Sequence, residues 1–153
     1  MNVVKTLDQF DEKCIYYCDP IKNNVINDGS FIRIIYSTPY FVLNGITLLV
    51  PLHNVIVEKY FSKYKCSFNV ETHRSFIENI RQIEESIIKK SNIIHKTPQF
   101  KLYEQVKNGN IKIFSDTIEK TNNLFMLKIS GIWETDQFYG VTYKFIKVNT
   151  AYM

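Results

Sequence analysis

Phe31-Ile-Arg33, Phe61-Ser-Lys63-Tyr-Lys65 and Lys112-Ile-Phe114 each set a cation two residues from an aromatic ring. In an extended chain successive side chains alternate between faces, so residues at i and i+2 project together. A surface that repeats this pairing can track a polyanion with its cations and offer rings on which flat bases stack. The segment FMLKISGIWETDQFYGVTYKFIKV, Phe125 to Val148, adds cations without rings: alternation groups Lys128 with Ser130, and Lys144 with Thr142. Phe31, Arg33, Phe61, Lys63, Lys65, Lys112, Phe114, Lys128 and Lys144 are therefore the candidate binding residues. The same pattern also suits an ordinary solvated sheet face, with lysines in water and phenylalanines packed under a helix or loops.

Within that segment, alternation assigns Phe125, Leu127, Ile129, Gly131 and Trp133 to one side, together with Val141, Tyr143 and Phe145. This apolar side is the natural core, and Trp133 is expected to pack within it. Met126, Lys128, Ser130, Ile132 and Glu134 fall on the other side.

Other chemistry finds little material. The chain has no GxxxxGK[ST] phosphate loop, GxGxxG fingerprint, HExxH or GxSxG element. Its acidic residues are scattered, with no spacing that pairs two carboxylates for metal-assisted hydrolysis. Cys14, Cys18 and Cys66 are odd in number, and His53, His73 and His95 sit alone in the sequence, so no zinc quartet is formed by spacing. These absences lead us to expect a non-enzyme with reduced thiols, no metal and no cofactor.

The elements that must position the candidate residues follow from periodicity and turn chemistry. The chain has 153 residues, of which 45% are hydrophobic, enough for one domain with a real core. Residues 30–37 read as a strand. Asn44-Gly45 favours a two-residue turn and predicts a hairpin between 40–43 and 46–50. Residues 54–70 read as an extended, lysine-rich edge. Over 72–90 the period changes: Phe76, Ile80, Ile83 and Ile87 recur at helical spacing, with Thr72 as N-cap and Lys89-Lys90 at the C-terminus. Phe100 to Lys107 suits a short helix or strand, and 110–114 a strand. A closing hairpin covers 124–148, while about 1–29 reads as an irregular N-terminal segment. The expected fold is mainly β with one principal amphipathic helix, either an OB-like barrel or an α+β antiparallel sheet with the helix on one face.

LKISGIWETDQFYGVTYKFI, preceded by FIRIIYSTPYFVLNGITLLVPL and KLYEQVKNGNIKIF, resembles a small protein family of nucleocytoplasmic large DNA viruses. The LKISGIWE…GVTYKF portion is also similar to the closing strands of viral and phage OB-fold proteins that bind single-stranded DNA. The resemblance implies a single-stranded nucleic-acid partner in replication, repair or transcription, inside an infected host cell. A virion or protein-interaction component is the alternative, and other viral proteins are then the partners. Phage-type binders usually end in an acidic recruiting tail; this chain ends VNTAYM, so recruitment of that kind is not expected. A net charge of +4 fits a polyanion partner, and no apolar run reaches the roughly 20 residues that cross a bilayer, so no membrane partner is expected.

Overall fold

The computed structural model describes residues 4–22, 29–114 and 123–149. Asn23-Asn24 and Asp116 to Asn123, polar stretches that read as loops in the sequence, lie outside the described residues except for Asn123, which begins a strand. The chain opens with β1 (Val4–Lys5), single 3-10 turns at Leu7–Gln9 and Glu12–Cys14, β2 (Ile15–Tyr17) and β3 (Ile21–Lys22). Five strands follow: β4 (Ser30–Ser37), β5 (Val42–Asn44), β6 (Ile46–Val50), β7 (Ile56–Tyr60) and β8 (Lys63–Ser67). After them come α1 (Arg74–Ser91), β9 (Thr97–Gln99), α2 (Lys101–Lys107), β10 (Asn110–Phe114), β11 (Asn123–Glu134) and β12 (Phe138–Asn149).

Helix α1 forms because its apolar residues fall on one stripe. Phe76, Ile80, Ile83 and Ile87 are all buried, with Ile77 and Ile88 widening the stripe. On the opposite side Arg81 bridges Glu78 and Glu85. The helix does not start at Thr72. A 3-10 turn at Glu71–His73 precedes it, where Asn69 Oδ1 accepts the Thr72 N–H and the Thr72 hydroxyl donates back to Asn69 O. It ends at Asn92 in the left-handed region, φ 59°, with Lys89 and Lys90 in the last turn.

The fold is mainly β with this one principal helix, and the strands form a large mixed sheet. Its main path is β1-β6-β11-β12-β10-β8-β7, with β4 also on β11, β2, β3 and β5 on β4, and β9 on β12. Pairing is parallel at β1/β6, β9/β12 and β10/β12 and antiparallel elsewhere. Among the described residues β1 and β7 do not pair with each other, so the pairing leaves the path open at both ends. The helix stripe joins Leu127, Ile129, Ile111, Ile113 and Phe145 in one core on one face of the sheet.

Two departures from the sequence expectation shape the opposite face. First, Asn44-Gly45 makes no hairpin: β5 pairs with β4, and β6 with β11. Gly45 is a corner at φ 82°, its N–H donating to Ile34 O at 2.9 Å, and a Cβ there would lie 2.6 Å from Ile129 O. The chain turns to change partners, which needs glycine's positive φ as much as a hairpin does.

Second, β11 changes neighbours midway, from β6 along Phe125–Ile129 to β4 along Gly131–Glu134. At the change its register against β12 slips by one residue between Ile129 and Gly131. One inserted residue resets a two-residue alternation. Ile132 is therefore fully buried beside Val141, and Trp133 is not a core residue: it is half-buried on the opposite face, lying against Gly140. The slip sits at Gly131 because β4 passes so close that a Cβ would lie 2.1 Å from Ile32 O.

Candidate nucleic-acid interface

The register of the central strands lines up four of the candidate lysines. Lys128 pairs with Lys144, and Lys112 with Lys65. The parallel match of Ile113 with Phe145 sets Lys112 beside Lys144. A row Lys128–Lys144–Lys112–Lys65 thus crosses β11, β12, β10 and β8 on the face away from α1. Adjacent strands lie about 4.8 Å apart, so the row extends about 15 Å. Thr47 continues it on β6 and Glu58 on β7. Lys112 and Lys144 are exposed, while Lys65 and Lys128 are half-buried. None of the four makes an ion pair, hydrogen bond or ring contact among the described residues.

The adjoining row carries the rings. Phe114, 73% exposed, pairs with Lys63, which pairs in turn with Tyr60. Phe61 occupies the two-residue loop between β7 and β8, 95% exposed and at φ 52°. A bulky residue in the left-handed region costs about 1–2 kcal/mol, and Phe61 spends that strain without gaining burial. The expected extended edge over 54–70 is thus a hairpin, with β7 as the edge strand.

Arg33 and Phe31 join the same face by register, opposite Gly131 and Trp133, but one row and two rows further along β11. Arg33 is exposed. Phe31 is half-buried with its ring over Gly131, so it packs against the sheet and offers no open stacking face. The structure therefore gathers Lys63, Lys65, Lys112, Phe114, Lys128 and Lys144, sets Phe61 at their margin and leaves Arg33 and Phe31 to one side.

Sequence reasoning missed a groove at the β8 end of the row. It has a volume of about 650 Å³ and lies between α2 and the β7-β8-β10 strands. Lys63, Lys65 and Lys112 line it, joined by Lys101, Tyr60 and Tyr143. Helix α2 borders it because β12 pairs with β9 only at Phe138–Gly140 and with β10 at Phe145, and the helix occupies the interval. The Tyr143 hydroxyl donates to Gln105 Oε1 at 3.1 Å. Burial, with the Glu84 charge adding, pushes the Tyr143 phenol up to about 12, so it stays a donor at neutral pH. Lys101 lies over the Trp133 ring with Nζ 4.9 Å from its centre.

Glu84 of α1 fixes α2 in place. Its carboxylate, 0% exposed, accepts the Leu102 N–H at 3.1 Å and the Tyr103 N–H at 2.8 Å. These are amide donors of the first helical turn, which have no partner within their own helix. Burial raises the Glu84 pKa to about 7 against the pull of those two N–H groups, with the charges of Glu104 and Glu85 adding.

The histidines are not all isolated. His53 and His73 stack with ring centres 4.2 Å apart. His73 Nδ1 donates to Asn69 O at 2.7 Å and Nε2 accepts the His53 N–H at 3.2 Å, which leaves neither nitrogen for a metal. No cluster of three or more His, Cys, Asp or Glu suited to a metal occurs among the described residues. The three cysteines are free, and burial pushes the Cys66 thiol up to about 11. No helix among the described residues is long and apolar enough to cross a membrane.

Comparison with protein-family models, with curated proteins and with solved structures finds no match to this chain.

Proposed function

We propose that this protein binds single-stranded nucleic acid across the open face of its sheet, in the replication, repair or transcription of a large DNA virus. The observation that carries the reading is the row Lys128–Lys144–Lys112–Lys65, four cations without partners among the described residues on four adjacent strands. Surface charges without ion-pair or hydrogen-bond partners contribute little to stability, and an aligned row of them matches a linear array of phosphates. Phe114 and Phe61 supply exposed rings beside that row, and stacking on them needs unpaired bases. The binding needs no cofactor and no bond is made or broken.

The test is fluorescence anisotropy with labelled single strands and duplexes across a salt series. Four neutralised phosphates give a log–log salt slope of about −3 for single strands. Single strands are expected to bind more tightly than duplexes of the same sequence. A wild-type protein that binds neither at low salt overturns the proposal.

A protein-binding role has one observation in its favour. Tyr40, in the turn between β4 and β5, and Val42, the first residue of β5, are 90% and 67% exposed, and neither strand carries a lysine of the row. An apolar contact at that turn would hold its affinity as salt rises, where the lysine row would lose it.

A further inference from the structure

The lysine row is evenly spread, one cation per strand, but the groove beside α2 is not. Lys63, Lys65, Lys101 and Lys112 all line it, the Lys101 ammonium resting over the neighbouring Trp133 ring, with Glu104 as the one carboxylate in the lining. Lys63 and Lys65 are half-buried there, with no carboxylate bound to either among the described residues. The nearest acidic cross-strand neighbour, Glu58, is engaged instead by the Tyr60 hydroxyl at 3.0 Å. Like charges brought together around one groove repel one another, and an anion between them offsets that repulsion. The groove's volume, about 650 Å³, is in the range of small-ligand sites.

We infer that this groove is a site for a phosphomonoester, the terminal phosphate of the bound strand. A phosphodiester carries one negative charge, which a single lysine per strand of the sheet answers. A phosphomonoester carries close to two at neutral pH and presents three acceptor oxygens, which calls for several donors at one place. Lysine ammonium groups act on phosphate as compact point charges with rotatable donors, so they need no planar partner. The Tyr143 hydroxyl, kept protonated by burial, and the Tyr60 ring complete a wall that is polar at one end and flat at the other. The inference rests on the strand-binding reading, because the row leads into the groove through Lys112 and Lys65.

The experiment compares one labelled sequence as three strands, ending in a 5′-hydroxyl, a 5′-phosphate or a 3′-phosphate, by anisotropy at fixed salt. One phosphorylated form is expected to bind about fivefold tighter than the hydroxyl form, with inorganic phosphate removing the difference. Lys101→Gln, outside the row, should abolish the gain. Glu104→Gln removes the opposing charge and should enlarge it, a change of sign that general damage to α2 cannot produce. Equal affinity for the three strands, or a gain that both substitutions leave unaltered, overturns the site while strand binding stands. Failure of all three strands to bind at low salt overturns the strand reading and the groove with it.

Discussion

Leu127 and Lys128 are neighbours in β11 and meet opposite worlds. Leu127 is fully buried among Phe145, Ile129 and the isoleucines of α1. Lys128 faces Lys144 across the strand gap on the side away from α1. The covered face has little freedom to change, since its large apolar side chains share one packed core. The open face carries charges that the fold does not use. Like charges kept side by side cost some repulsion, which a strand bound as proposed would offset. The two faces should therefore respond to substitution in opposite ways.

The largest effect belongs to the covered face. Ile80 is fully buried at the centre of the α1 stripe, and Ile80→Ala should cost about 2–5 kcal/mol by urea unfolding. A denaturation midpoint equal to wild type would place the helix elsewhere.

Glu84 is the exception within that face, a carboxyl group in an apolar setting. Its folded pKa, about 7, lies above the ordinary 4.5, so the folded protein holds the proton longer than the unfolded chain does. The stability that goes with this is fully present below about pH 4.5 and is lost as pH rises through about 7, a change of about 3 kcal/mol. Glu84→Gln cannot ionise. Unfolding measured across that window should show the variant gaining on wild type by about that amount as pH rises. Parallel profiles would mean that Glu84 does not titrate in this window.

A smaller effect is expected where the two faces exchange residues. Gly131→Ala places a Cβ against the Ile32 carbonyl oxygen and the Phe31 ring, and should cost about 1–3 kcal/mol as β4 is pushed from β11. If the variant is as stable as wild type, β4 does not approach there as closely as the bulge requires.

That bulge also marks the limit of what the sequence shows. The isoleucine stripe of α1, the closing hairpin and the face of Lys128 and Lys144 are legible, because each depends on a period that holds within one element. Trp133 is not. Its face depends on the one-residue slip before Gly131, and that slip is caused by β4, about a hundred residues earlier in the chain. Asn44-Gly45 misleads for a related reason: the dipeptide specifies a turn, but which strands pair across it is decided by Ile34 and Ile129. The row of lysines was legible only in part. Alternation gives each lysine's side of its own strand, whereas their alignment needs the parallel match of Ile113 with Phe145, between segments that no local signal joins. Lys101 and Tyr143 enter the groove through the docking of α2, which rests on the long-range cap from Glu84.

The smallest effect on stability, and the sharpest test of the open face, comes from its two exposed central lysines. Lys112 and Lys144 are adjacent, exposed and without hydrogen-bond, ion-pair or ring partners for their side chains among the described residues. Replacing both with Ala should change unfolding stability by no more than about 0.5 kcal/mol, in either direction, since surface positions without partners contribute little. Relief of their mutual repulsion even favours a small gain. Binding should behave differently. Each phosphate contact on a single strand contributes about 0.7 to the salt slope, so losing two should flatten it by about 1.4 units and weaken binding most at low salt. A variant that unfolds like wild type but binds with the flatter slope separates the two faces by function. A variant that keeps the wild-type affinity and slope shows that strands bind elsewhere, and the unpaired lysines would then need another partner to explain their alignment.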